Sequence, residues 1–182
     1  MPKPSAEDVR YLAKIRANVD RFMRAASGHI PGGEARLRLL DIAPQDHPGA
    51  RPYFPARVRI DTLDIDPAAG ATYTADICAD NSGLIRPSFY DFVVCTEVLE
   101  HTLRPFDAVK EIRRLLKRGG KLFLSVPFNF RIHGPLPDCW RFTEHGLRAL
   151  FSEGFRVLAL KGLRTPGRPL MPMHYTVIVE KR

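Results

Sequence analysis

Cysteine is scarce in this chain and so is anything that would anchor it. There are three cysteines, Cys78, Cys95 and Cys139, an odd number with no C-x-x-C pairing, which indicates neither a disulfide framework nor a zinc site. Side chains with metal-ligand spacing are not visible, so no metal is expected. No apolar run approaches the ~20 residues needed to cross a bilayer, and the opening MPKPSAEDVRYLAK is charged where a secretory leader has an apolar centre. The expected location is a reducing cytoplasm, with no membrane span. Internal repeats and low-complexity tracts are also missing. The rest is ordinary globular composition: 182 residues, 45% hydrophobic and 26% charged, which excludes a disordered or collagen-like chain. That length predicts one domain with room for an extension and a core that needs no staple.

Charge is unevenly spread. Residues 41–100 hold 4 Arg and Lys against 10 Asp and Glu, a balance of −6, so the flanks carry +14 of the net +8. Basic flanks suit nucleic acid, anionic lipid or a phosphorylated substrate, but no aromatic-interleaved basic motif accompanies them, and solvated helix faces explain them equally well.

Periodicity orders the elements. Residues 5–27 space Val9, Leu12, Ile15, Val19, Phe22 and Met23 for a helix, with Ser5 as N-cap and Gly28 beyond the end. Strands are predicted at 37–43 (LRLLDIA), 58–65 (VRIDTLDI), 71–77 (ATYTADI) and 90–97 (YDFVVCTE). A helix follows at 105–117, closed by Gly119-Gly120, then a strand in KLFLSVPF, a helix at 143–151, and strands in FRVLALK and HYTVIVEK, with 162–173 as a Gly- and Pro-rich loop. Alternating strands and helices imply a mostly parallel α/β sheet covered on both faces. Residues 1–36 are read as a helix and linker, a lid or a dimer element, and 37–182 as the catalytic domain.

In such a sheet ligands bind beyond the carboxyl ends of the strands, where strand order reverses. Three of those ends carry acids: Asp41 in LLDIA, Asp64 in LDIDP and Glu97 in CTE. A carboxylate after the second strand, about 20 residues beyond the first, is placed to accept hydrogen bonds from ribose hydroxyls. A single acid of this kind is usually a cap or turn residue; three in register point to a site.

LLDIA, LDIDP, TADIC and the long block YDFVVCTEVLEHTLRPFDAVKEIRRLLKRGGKLFLSVPF together resemble the class I S-adenosylmethionine-dependent methyltransferases over residues 37–161. A narrower likeness, carried by Arg51-Pro52-Tyr53-Phe54 and Trp140-Arg141-Phe142-Thr143, is to small bacterial methyltransferases often associated with glycan synthesis. The resemblance implies a Rossmann-like three-layer αβα sandwich whose seven-stranded sheet has its last strand antiparallel. It implies S-adenosyl-L-methionine as cofactor, with Asp41, Ala43 and Pro44 at the methionine amino group and first loop. Asp64 would hold the ribose, Ile65 would flank the adenine, Asp76 and Ile77 would meet its amine, and Cys95, Thr96 and Glu97 would line the methionine end. The first loop departs from the family: where glycines usually let the backbone approach the cofactor, this chain has Ala43-Pro44-Gln45-Asp46-His47-Pro48-Gly49. Either the loop takes another path or cofactor binding is weakened.

A hydroxyl acceptor must lose a proton during methylation, which favours a base of near-neutral pKa. His133, in the loop after the fifth strand, and His101, at the end of EVLEH, are the candidate bases, His133 also touching substrate. His101 as a packed turn histidine is the plain alternative. Asp138, Trp140 and Arg141 are expected to wall the acceptor side, with Arg141 gripping either an anionic substrate or Asp138, and Trp140 otherwise plugging the core. His47 is a candidate cofactor contact; His29, His145 and His174 are assigned no role. The predicted activity is methyl transfer to a small-molecule or glycan-like acceptor, most often a hydroxyl oxygen. A non-catalytic binding module and an RNA methyltransferase are the competing readings.

Overall fold

The computed structural model describes residues 2–45 and 48–182; the candidate cofactor contact His47 lies outside the described residues. Seven strands form one sheet: β1 (Leu37–Ile42), β2 (Val58–Asp64), β3 (Tyr73–Thr74), β4 (Tyr90–Thr96), β5 (Leu116–Pro127), β6 (Phe155–Leu163) and β7 (His174–Lys181). Their spatial order is β3-β2-β1-β4-β5-β7-β6. β3, β2, β1, β4 and β5 run parallel, and β7 inserts antiparallel between β5 and β6. The expected last antiparallel strand is therefore present, and strand order reverses between β1 and β4.

Alternation along the strands separates two cores. Leu39, Phe92, Val94, Phe123 and Ile178 face one side, under Met23 and Ala26 of helix α1 (Ala6–Ser27). Leu40, Val93, Leu122, Leu124 and Val177 face the other, packed with Ile112 and Leu115 of α2 (Pro105–Leu115) and Leu147 and Leu150 of α3 (Glu144–Leu150). Full burial of each such side chain contributes about 1.5–3 kcal/mol, which explains why the central strands are apolar on both faces. α1 starts at a capping box: Ser5 Oγ accepts from the Asp8 backbone N–H at 3.1 Å, and the Ser5 N–H donates to Asp8 Oδ2 at 2.8 Å.

Three boundaries differ from the sequence reading. α2 ends at Leu115, two residues early, and Gly119-Gly120 do not cap it but lie inside β5. Tyr90 pairs with Leu116 while Phe92 pairs with Lys121, so residues 117–120 bulge out of the ladder; Gly119 has φ +76° there, and a Cβ on Gly120 would sit 2.8 Å from the Lys117 carbonyl. β3 shrinks from seven residues to two, and β6 runs on to Leu163, into the segment read as loop.

Candidate active site

Asp41 is the next-to-last residue of β1 and is 4% exposed. Its Oδ2 accepts the Ala50 backbone N–H at 2.7 Å. Burial pushes its pKa up to about 6 against the opposing effect of that hydrogen bond. The loop between them passes very close: a Cβ on Gly49, at φ +54°, would stand 2.2 Å from Asp41 Oδ2. The glycine the family puts early in this loop is thus supplied late, at the point where backbone meets carboxylate, while Ala43 and Gln45 take left-handed conformations, φ 52° and 54°, without help from glycine.

Asp64 ends β2, also 4% exposed. Its Oδ1 accepts the Asp66 N–H at 2.9 Å, whereas its Oδ2 is buried with no partner among the described residues. Between the two acids opens a cavity of about 260 Å³ bordered by Asp41, Pro44, Pro48, Thr62, Asp64 and Gly70. A buried carboxylate oxygen without a donor costs free energy until something supplies one, and a diol fits that need. Ile65, the next residue, is 68% exposed and does not line that cavity. Asp41, Pro44 and Asp64 therefore share one cavity, with Ala43 fixed beside it by its N–H donating to the Leu63 carbonyl at 2.7 Å.

The remaining candidate cofactor residues lie outside that cavity. Asp76 accepts the Cys78 N–H at 2.8 Å and lies 3.9 Å from Arg104. Ile77 is packed into the core. Cys95 is likewise a core residue; burial first, then the Glu100 and Asp41 charges, raise its thiol. Thr96 pairs with Ser125 of β5. Glu97, at φ 57°, turns the chain out of β4, and its Oε1 accepts from Ser125 Oγ at 2.8 Å and from His174 Nε2 at 2.6 Å. His174 is fully buried, and its Nδ1 accepts from Asn18 Nδ2 of α1 at 2.9 Å, which puts the ring proton on Nε2. No role had been assigned to His174, and its apolar-looking strand offered no signal for one.

The candidate acceptor residues converge on a residue the sequence reading passed over. Glu100 is fully buried, and both its oxygens lack hydrogen-bond partners among the described residues. Burial, then the Glu97 charge, push its pKa well above the usual carboxylate range. Its Oε1 lies 3.8 Å from Nε2 of His101 and 3.8 Å from Nε2 of His133, and the two imidazoles meet edge to face with centroids 4.8 Å apart. The His133 pKa is lowered, chiefly by burial and against the pull of Asp138. Asp138 accepts the His133 backbone N–H at 2.9 Å and is clamped by Arg141 at 2.5 and 2.7 Å. Burial raises Asp138, but the guanidinium and N–H outweigh it and hold the carboxyl at about 2. Of the two uses foreseen for Arg141, the pair with Asp138 is the one formed, and the pair is half-buried. Trp140 is no core plug: it is 40% exposed, stacked on Phe142, with Nε1 donating to the Thr102 carbonyl at 2.8 Å.

Residues 7–160 match the family model described as a methyltransferase domain. A segment of 41 residues, 22% of this chain, is 45% identical to a ubiquinone biosynthesis O-methyltransferase of Nitrosomonas europaea, of which it spans 17%; the match covers a small part of that relative. Among solved structures, the [4+2]-cyclase SpnF aligns with TM-score 0.67 at 16% identity, over 89% of this chain and 80% of that one. The CurJ carbon methyltransferase aligns with TM-score 0.67 at 19% identity, over 90% of this chain and 53% of that one. These two likenesses show the fold, and the cyclase is a reminder that a shared fold does not settle the reaction. The orphaned Asp64 oxygen and the cavity beside Asp41 fit S-adenosylmethionine, the cofactor of this class, and with the match over residues 7–160 the chain belongs to the methyltransferase-domain family of S-adenosylmethionine-dependent enzymes.

Proposed function

We propose that the chain methylates a hydroxyl oxygen of a small-molecule or glycan-like acceptor. The observation that carries this reading is the buried Asp64 Oδ2, unpartnered at the edge of a cavity beside the strand-order reversal. Asp64 holds the ribose hydroxyls, Asp41 faces the ammonium of the methionine portion, and Pro44 and Ile65 border the nucleoside. The bound cofactor supplies an electrophilic methyl group on a sulfonium. Glu97, fixed by Ser125 and His174, sets the end of the cleft nearest β4, and Cys95 and Thr96 form its floor. Asp76 and the Ile77 backbone border the adenine.

His101 and His133 stand on the acceptor side, 13% and 22% exposed at the side chain. His133 Nε2 takes the proton that the acceptor hydroxyl loses, and Asp138 and Arg141 hold the loop carrying that ring. Lining up acceptor and methyl group provides much of the rate in such a displacement. The hydroxyl reading is supported by the imidazole pair and by the likeness to a relative named an O-methyltransferase.

Incubation with methyl-labelled S-adenosylmethionine and a panel of hydroxylated sugars, sugar phosphates, phenols and RNA tests the proposal. Label in a low-molecular-weight or glycan product, with one S-adenosylhomocysteine formed per methyl, is expected. Transfer confined to RNA, steeply weakened by salt, favours the reading suggested by the basic flanks instead. Cofactor binding without transfer to any acceptor favours a binding module.

A further inference from the structure

The geometry points to a divalent transition-metal site formed by Glu100, His101 and His133, with its solvent side open to a water or an acceptor oxygen. Their ligating atoms all lie within 4.8 Å of one another, and Glu100 Oε1 is equidistant, at 3.8 Å, from the two Nε2 atoms. Two imidazoles and one carboxylate, with a vacant fourth position, are a donor set that zinc and similar metals take. Ligands held 2.0–2.2 Å from a tetrahedral zinc stand about 3.3 Å apart, so the two carboxylate–imidazole gaps close by about half an ångström on binding and the widest separation of the set, up to 4.8 Å, by up to about 1.5 Å.

Two further features set these rings up as ligands. His101 Nδ1 is 3.0 Å from the Pro137 carbonyl, which can only accept, so the ring proton sits on Nδ1 and the Nε2 lone pair faces Glu100. His133 Nδ1 lies 3.0 Å from Asp138 Oδ2; the contact is too far out of line for a formed hydrogen bond, yet it places a carboxylate behind the imidazole, the arrangement that orients metal-bound histidines. Asp138 is itself immobilised by Arg141. The third ligand is a carboxylate buried with both oxygens unpartnered, a costly placement that a cation between it and the rings removes.

The cluster is not legible in the sequence, because His133 is remote from EVLEH and only the loop after β5 brings the three residues together. A cation here lowers the pKa of an oxygen bound to it, and with the cation in place His133 serves as a ligand while the hydroxyl proton leaves to solvent. The binding claim stands on these residues and not on methyl transfer, so each can fail without the other.

Calorimetric titration of ZnCl₂ into Cys139→Ser protein, which removes the exposed thiol as a competing ligand, tests the site. One ion per chain with micromolar or tighter affinity is expected, together with a rise in Tm on zinc addition. In the same background, Glu100→Gln and His133→Ala each abolish that binding, and Asp138→Asn weakens it by about 10-fold or more. Glu100→Gln keeps the side-chain volume and removes a buried charge, so it stays folded, as circular dichroism checks. Undetectable zinc binding, or unchanged affinity in Glu100→Gln, overturns the assignment.

Discussion

At the scale of single residues, the buried acids weigh on the stability of the ligand-free protein. Asp41 has a folded pKa of about 6 against an ordinary carboxyl near 4. Its pKa is raised by folding, so between about pH 4 and pH 6 the folded state holds more protons than the unfolded one and stability falls as pH rises. Above pH 6 the whole penalty is present, on the order of 3 kcal/mol. Asp41→Asn, which keeps an acceptor for the Ala50 N–H, is therefore expected to stabilise the ligand-free protein at pH 7, with the gain shrinking toward zero below pH 4. Denaturant melts of both proteins across this range check it; a gain over the native protein that is no larger at pH 7 than at pH 4 contradicts the burial argument. The ammonium of a bound methionine portion offsets the same penalty, which is a physical reason for an acid to remain in so dry a place.

Two contacts between elements govern the scaffold. Asn18 of α1 gives its amide hydrogen to His174 of β7, and His174 gives its own to Glu97, so the outer helix is tied to the edge of the cleft through a buried ring. Asn18→Ala leaves His174 Nδ1 buried without a donor and is expected to cost about 1–3 kcal/mol in chemical unfolding; a loss within experimental error would show that water takes the place of the amide. Gly49 is the other. Gly49→Ala places a Cβ 2.2 Å from Asp41 Oδ2 at a left-handed backbone position, and is expected to cost at least about 2 kcal/mol, or roughly 4–8 °C in Tm. An unchanged melting curve would mean that the loop has another conformation available.

These elements also show where reading the chain in one dimension works. The helix spanning 6–27 and the strand HYTVIVEK were legible almost to the residue, because a capping box and a run of buried branched residues mark them locally. The end of α2 was not: Gly119-Gly120 look like a helix stop, and only pairing with β4 reveals them as a bulge inside β5. In the candidate site, Asp41 and Asp64 were legible because strand ends announce themselves, and Pro44 only through the family resemblance. His174 and Gly49 were not, since each acquires its part from a neighbour distant in sequence or from the path of the backbone. Glu100 stood in plain view inside EVLEH, but its burial between two histidines is a property of the folded loop after β5.

For the whole molecule, the fold arranges two polar centres along one edge of the sheet, an acid-lined cavity over β1 and β2 and an imidazole cluster beyond β4. No described helix is long and apolar enough to cross a membrane. The account depends on the first centre receiving a nucleoside despite its unusual first loop. Calorimetric titration of S-adenosylhomocysteine into the native protein and into Asp64→Ala measures this directly. Micromolar binding by the native protein, weakened at least tenfold in the variant by loss of a charged hydrogen bond worth ~1.5–3 kcal/mol, is the predicted result. Absence of binding to folded native protein at millimolar ligand, or equal affinity in the two proteins, contradicts it.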